Sequence, residues 1–140
     1  MEIWAIITPL IKVLLYILSF LAVGTGLFIL HFRSLLSQPT FAYCCKLVSK
    51  ASLIGSIIAP LLLLMTAGNI GGDLQSAFDP LMISIALSSK AGQSILVLFF
   101  GFLLVLLWIS PFQNQRLIPG ILGFAFILSS FSLYGHSTIN

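Results

Sequence analysis

The sequence predicts an all-α integral membrane protein: a four-helix bundle with both termini outside and a short outer-face helix between helices 2 and 3. Three observations predict it. The first is composition: of 140 residues, 59% are hydrophobic and 6% charged, and the mean hydropathy is +1.18. A soluble domain carries roughly 25% charged residues because water must wet its surface. Six basic and three acidic side chains cannot do that here, so lipid must solvate much of the protein. The second is pattern: the apolar residues form four runs without period-2 alternation, which excludes a β-barrel. The third is the sorting of charge to two sides, developed below.

The spans are placed at 9–31, 51–67, 92–109 and 119–136, as one transmembrane domain over 1–140. Thr8-Pro9 reads as an N-cap followed by a first-turn proline, and the run from Leu10 to His31 rises ~33 Å, enough to cross a bilayer. Lys12 lies one turn in, where its stem can snorkel, and Trp4 sits just outside as an interfacial aromatic. The second span is short and holds Pro60, which predicts a kink. The third ends at Trp108 before Ser110-Pro111, and the fourth opens with Pro119.

Between them lie linkers at 32–50, 68–91 and 110–118. The first and last carry Arg33, Lys46, Lys50 and Arg116, whereas the middle one and the N-terminal end carry Lys12, Lys90 and all three acids, Glu2, Asp73 and Asp79. The positive-inside rule then sets both termini outside. In the outer linker, Gly68–Asp73 is a turn-rich break. Asp79-Pro80 repeats the cap-then-proline signal, opening a short apolar helix over 80–87. Glycines 24, 26, 55, 101, 120 and 123 fall inside spans and permit close helix contact.

Several function classes are excluded. A net charge of +3 without a basic stripe gives no nucleic-acid partner. Adjacent Cys44 and Cys45 make no disulfide framework, and Glu2 in place of a basic stretch argues against a cleavable signal. There is no paired-carboxylate site within a span, no Ser-His-Asp spacing and no Walker-type Gly-Lys-Ser/Thr, so no enzyme is expected. No haem is expected either. His31 falls at the inner end of helix 1 and His136 at the outer end of helix 4, a hydrocarbon core of roughly 30 Å apart.

The outer side collects His136, Met65, Met82 and Asp73 as candidate metal ligands, and imidazole with thioether suits Cu(I) better than Cu(II) or a hard cation. Each also has an ordinary reading: His136 at the interface or capping a carbonyl, the methionines as apolar filler, Asp73 as a turn residue. On the inner side His31, Cys44 and Cys45 are a second soft set, spread along a linker.

Three stretches carry a resemblance. "IKVLLYILSFLAVGTGLF" (11–28) resembles the opening helix of the copper-resistance protein D (CopD) family. "AGNIGGDLQSAFDPLMISIALSSKAGQSILVL" (67–98) is similar to that family's outer segment, and "SLYGHSTIN" (132–140) to its Gly-His-Ala at the outer end of the fourth helix. The resemblance implies the N-terminal half of a bacterial inner-membrane, multi-pass protein of copper transport or resistance. It implies periplasmic copper-binding proteins as partners beside the lipid bilayer, with a second membrane half or a homo-oligomer completing the assembly. Gly135-His136 take the place of the Gly-His, Lys12 and Tyr16 the basic and aromatic positions, and Leu15 stands where the family often has histidine. A structural or assembly subunit, held through its glycine-bearing helix faces and without ligand chemistry, is the alternative.

Overall fold

The computed structural model describes the backbone of residues 2–73, 75–109 and 117–137, and within these the side chains of all but 2–5, 33, 117–119 and 133–137. Among the described residues there are five α-helices and no strand: α1 (Glu2–Phe32), α2 (Gln38–Gly71), α3 (Pro80–Ser88), α4 (Lys90–Ile109) and α5 (Leu117–Ser137). Short 3₁₀ turns at Arg33–Leu35 and Gln75–Phe78 complete the connections. Three helices are long and apolar enough to cross a membrane, within Ile6–Phe32, Gln38–Gly71 and Lys90–Ile109; the described apolar part of α5 is the shorter Gly120–Ser132.

α1 packs along α2, α2 along α4, and α4 along α5, with a slighter contact closing α5 back onto α1. Antiparallel register follows from named contacts. Asn69 Nδ2 donates to Thr8 Oγ1 at 3.2 Å, which joins the end of α2 to the start of α1. Tyr16 and Phe131 rings lie 5.2 Å apart, which runs α5 opposite to α1. One end of the molecule therefore gathers the start of α1, the end of α2, α3, the start of α4 and the end of α5. The core between the helices is Leu15, Leu18, Ala22, Val48, Ala59, Leu62, Leu98, Phe102, Val105, Phe124 and Ile127. Phe20, Ile57, Phe100 and Leu128 are exposed, the arrangement lipid-solvated helices require.

Glycine sets the α4–α5 spacing. A Cβ added at Gly101 would stand 2.8 Å from Ile127 Cγ1 and 3.1 Å from the Gly123 carbonyl oxygen; one added at Gly123 would stand 2.9 Å from the Gly101 carbonyl oxygen. Each glycine thus admits the other helix's backbone, the small-residue approach that substitutes for hydrophobic drive in lipid.

Two expectations about helix ends are corrected. Thr8-Pro9 does not open α1, because Pro9 lies inside a helix that begins at Glu2. The Thr8 hydroxyl accepts from Asn69 across to α2. The linker expected at 32–50 is also far shorter. α2 begins at Gln38, after Ser37 in extended backbone and with Pro39 in the first turn. Lys46 and Lys50 are therefore helical, because charge marks where lipid ends and not where the helix does. At 34 residues α2 is ~51 Å long, well beyond a hydrocarbon core of roughly 30 Å. Pro60 lies within it, and the helix runs on through it.

Other boundaries follow their local chemistry. The break expected at Gly68–Asp73 begins only at Gly72: Gly68–Gly71 continue α2, which stops at Gly72, whose φ of 83° is left-handed and whose amide bonds the Gly68 carbonyl at 2.8 Å. α3 is capped by Asp79, whose Oδ1 accepts from the Leu81 amide at 3.0 Å, with Pro80 at the first position. Asp79→Ala should loosen α3 by about 1 kcal/mol, measured as faster amide exchange at Leu81–Ile83 with the long helices unaffected. Unchanged exchange there would show that packing alone holds α3. Residues 110–116, with Ser110-Pro111 and Arg116, and the side chains of Trp4 and Pro119 lie outside the described residues.

Candidate functional site

Two groups of polar or soft side chains lie toward the end where α1 and α4 begin and α2 and α5 finish. The first is the expected metal set. Met65 is buried in the last two turns of α2, and Met82 is half-buried on α3. Asp73 is exposed just past α2. His136 belongs to the last turn of α5, and its side chain lies outside the described residues. Register from the Tyr16–Phe131 contact brings the backbone at 136 to the depth of Ile11 and Lys12 on α1. The fold thus brings all four positions toward one end, on three helices and one turn.

Asp73 already has work there. Its Oδ1 accepts from the Ser76 amide at 2.8 Å and from the Ser76 hydroxyl, holding the 3₁₀ turn Gln75–Phe78 in place. These bonds from the Ser76 side chain and then its backbone hold the Asp73 carboxyl below its usual value, against a small opposing effect of desolvation. A depressed carboxyl stabilises the turn above its unfolded-state pKa and ceases to as pH falls through the folded one. A cation taking Asp73 would compete with that turn.

The second group was only partly legible in the sequence. Where α1, α2, α4 and α5 converge, Lys12, Tyr16, Ser94 and Ser130 line a small cavity with Leu15, Leu62, Ile95, Leu98 and Phe131. Its volume of about 30 Å³ admits a water or two. Ser94 Oγ donates to the Ser130 carbonyl at 2.8 Å, tying α4 to α5, and Ser130 Oγ donates to the Ile127 carbonyl at 2.7 Å. Lys12, taken from sequence as a snorkelling edge residue, is half-buried and faces this space. Ammonium and hydroxyl are hard donors, so the cavity suits water and not a soft cation. The signal for Ser94 and Ser130 was their hydroxyls within apolar spans, which sequence reasoning passed over.

At the opposite end, His31 is exposed at the close of α1 with its ring edge-on to Phe32. Cys44 is buried on α2, Cys45 half-buried, and neither forms a disulfide. Among the described residues no three His, Cys, Asp or Glu side chains gather as a metal site. The Ser52 hydroxyl, fully buried on α2, meets no hydrogen-bond partner among the described residues.

A family model described as the copper resistance protein D-like N-terminal domain matches residues 1–140. No curated protein and no solved structure matches the chain.

Proposed function

Because the chain belongs to the copper resistance protein D-like family, as its N-terminal domain, we propose that it moves copper at the bacterial inner membrane as a multi-pass, four-helix bundle. α5, at 21 residues, rises ~31 Å and serves as the fourth span beside the three longer apolar helices. Both termini lie on the periplasmic side. Lys46 and Lys50 lie toward the inner end of α2, while Asp73 and Asp79 lie past its outer end, in keeping with the positive-inside rule.

Copper is cargo in this reading, carried as Cu(I) and received from a periplasmic copper-binding protein. His136 is the leading ligand, with Met65 and Met82 as soft neighbours and Asp73 the weakest of the four. No catalytic step and no haem is invoked. The observation that carries the proposal is the family match over the whole chain; that Met65, Met82, Asp73 and the backbone at 136 lie toward one end of the fold supports it.

The test compares copper accumulation and copper-dependent growth for wild type, His136→Ala and Met65→Leu, with anaerobic Cu(I) titration of the purified proteins. Losing even an outer partner of a metal ligand costs 10–100-fold in affinity, so His136→Ala should weaken Cu(I) binding by at least about tenfold. Met65→Leu keeps the packing volume and should weaken it less. Equal copper behaviour in all three proteins would remove these residues from the site. A stoichiometric membrane partner with no bound copper would favour the assembly-subunit reading instead.

A further inference from the structure

α2 is covered by α1 and α4 on its inward sides, but one strip of it faces outward along most of its length. Tyr43, Lys46, Lys50, Leu53, Ile54, Ile57 and Leu61 are all exposed, and their spacing by three and four keeps them on one helix face. The strip changes character at Lys50: phenol and two ammonium groups before it, four aliphatic side chains after it. From Lys50 to Gly71 the helix rises ~31 Å, close to the thickness of a hydrocarbon core. Lys50 therefore sits at the hydrocarbon boundary, Lys46 ~6 Å farther out among the headgroups, and Tyr43 beyond it. The described carboxylates, Asp73 and Asp79, lie past the far end of α2, so no acid of theirs neutralises this patch.

We propose that this face of α2 holds one anionic phospholipid, its phosphate on Lys46 and Lys50 and an acyl chain along Leu53, Ile57 and Leu61. The inference rests on α2 spanning the membrane and needs neither copper nor His136. Two cations one helical turn apart offer a phosphate two charge-assisted contacts. Tyr43 adds an interfacial hydroxyl, and the aliphatic strip continues in the direction the acyl chain must run. Charge complementarity selects an anionic headgroup over a zwitterionic one.

The experiment is native mass spectrometry of the full chain released from detergent after titration with palmitoyl-oleoyl phosphatidylglycerol or the matching phosphatidylcholine. Wild type should retain one phosphatidylglycerol in preference to phosphatidylcholine. K46Q/K50Q should bind it about thirtyfold more weakly, since each lysine near a lipid surface contributes about 1 kcal/mol. K46R/K50R should keep the preference. Lys90→Gln, an exposed cation at the other end, should leave it unchanged. Circular dichroism verifies that the variants remain helical, and Cu(I) titration of K46Q/K50Q should match wild type, which separates failure here from failure of the copper reading. Equal retention of the two lipids by wild type, unchanged phosphatidylglycerol binding by K46Q/K50Q, or a second copy of the chain occupying the face would overturn the proposal.

Discussion

Gly101→Leu is expected to separate α5 from α4 and leave a protein that aggregates in mild detergent. The Cβ alone would stand 2.8 Å from Ile127 Cγ1 and 3.1 Å from two backbone atoms, the Gly123 oxygen and the Ile127 nitrogen. Side chains can turn aside, but those backbone atoms move only if the helix moves. Overpacking typically costs about 1–3 kcal/mol, and a clash with backbone belongs at the upper end, while the better helix propensity of leucine returns only about 1 kcal/mol. The Ser94–Ser130 bond ties the same two helices, so opening this seam also strips one polar tie from the cavity. Size-exclusion profile and thermal midpoint in detergent measure the effect. A monodisperse variant of near wild-type midpoint would show that the α4–α5 contact is looser than this geometry.

Gly55→Leu should be comparably damaging between α2 and α4, and it has a specific remedy. An added Cβ would lie 2.6 Å from Phe102 Cε2 and Cζ. Phe102 is fully buried, so its ring has nowhere to swing. Phe102→Ala alone leaves a cavity worth about 3–5 kcal/mol in soluble cores, toward the lower end here because lipid, unlike water, solvates the ring well when the helices part, so less is lost with its burial. Together the two changes exchange volume across one contact, which cores tolerate far better than either change alone. The double variant should be more stable than both singles, with a favourable coupling of at least about 1 kcal/mol by unfolding in denaturing detergent. Simple additivity would mean that the two residues do not share the space between α2 and α4.

Those contacts separate what a sequence discloses from what it withholds. Gly26, Gly55, Gly101, Gly120 and Gly123 were legible as close-approach positions, whereas Gly24, expected to join them, is exposed with open space beside it; which helix each one meets is decided by tertiary packing. Asp79-Pro80 was legible to the residue, since cap and first-turn proline are local chemistry. Thr8-Pro9 carried the same two-residue signal and meant something else: the Thr8 hydroxyl reaches Asn69, far along the chain. Gln38 to Lys50 read as linker because hydropathy senses lipid, whereas backbone hydrogen bonds continue past the membrane surface. The candidate site divides likewise. Met65, Met82, Asp73 and the backbone of His136 reach one end of the fold because antiparallel helices of spanning length must bring alternate ends together. The cavity beside Lys12 depends on how four helices converge, which no periodicity encodes.

Pro60 sits at a telling place in that assembly. It has no amide to offer the Ser56 carbonyl, so the ladder of α2 lacks one rung there. This gap divides α2 into a post and an arm. The post, Gln38–Ala59, is clamped by the Phe102 ring at Gly55. The arm carries Met65 and, just before its end at Gly71, Asn69, which is linked to α1. The missing rung thus lies between two anchors, the Phe102 ring on the post and the Thr8–Asn69 bond on the arm, and packing holds α2 continuous where its own ladder does not.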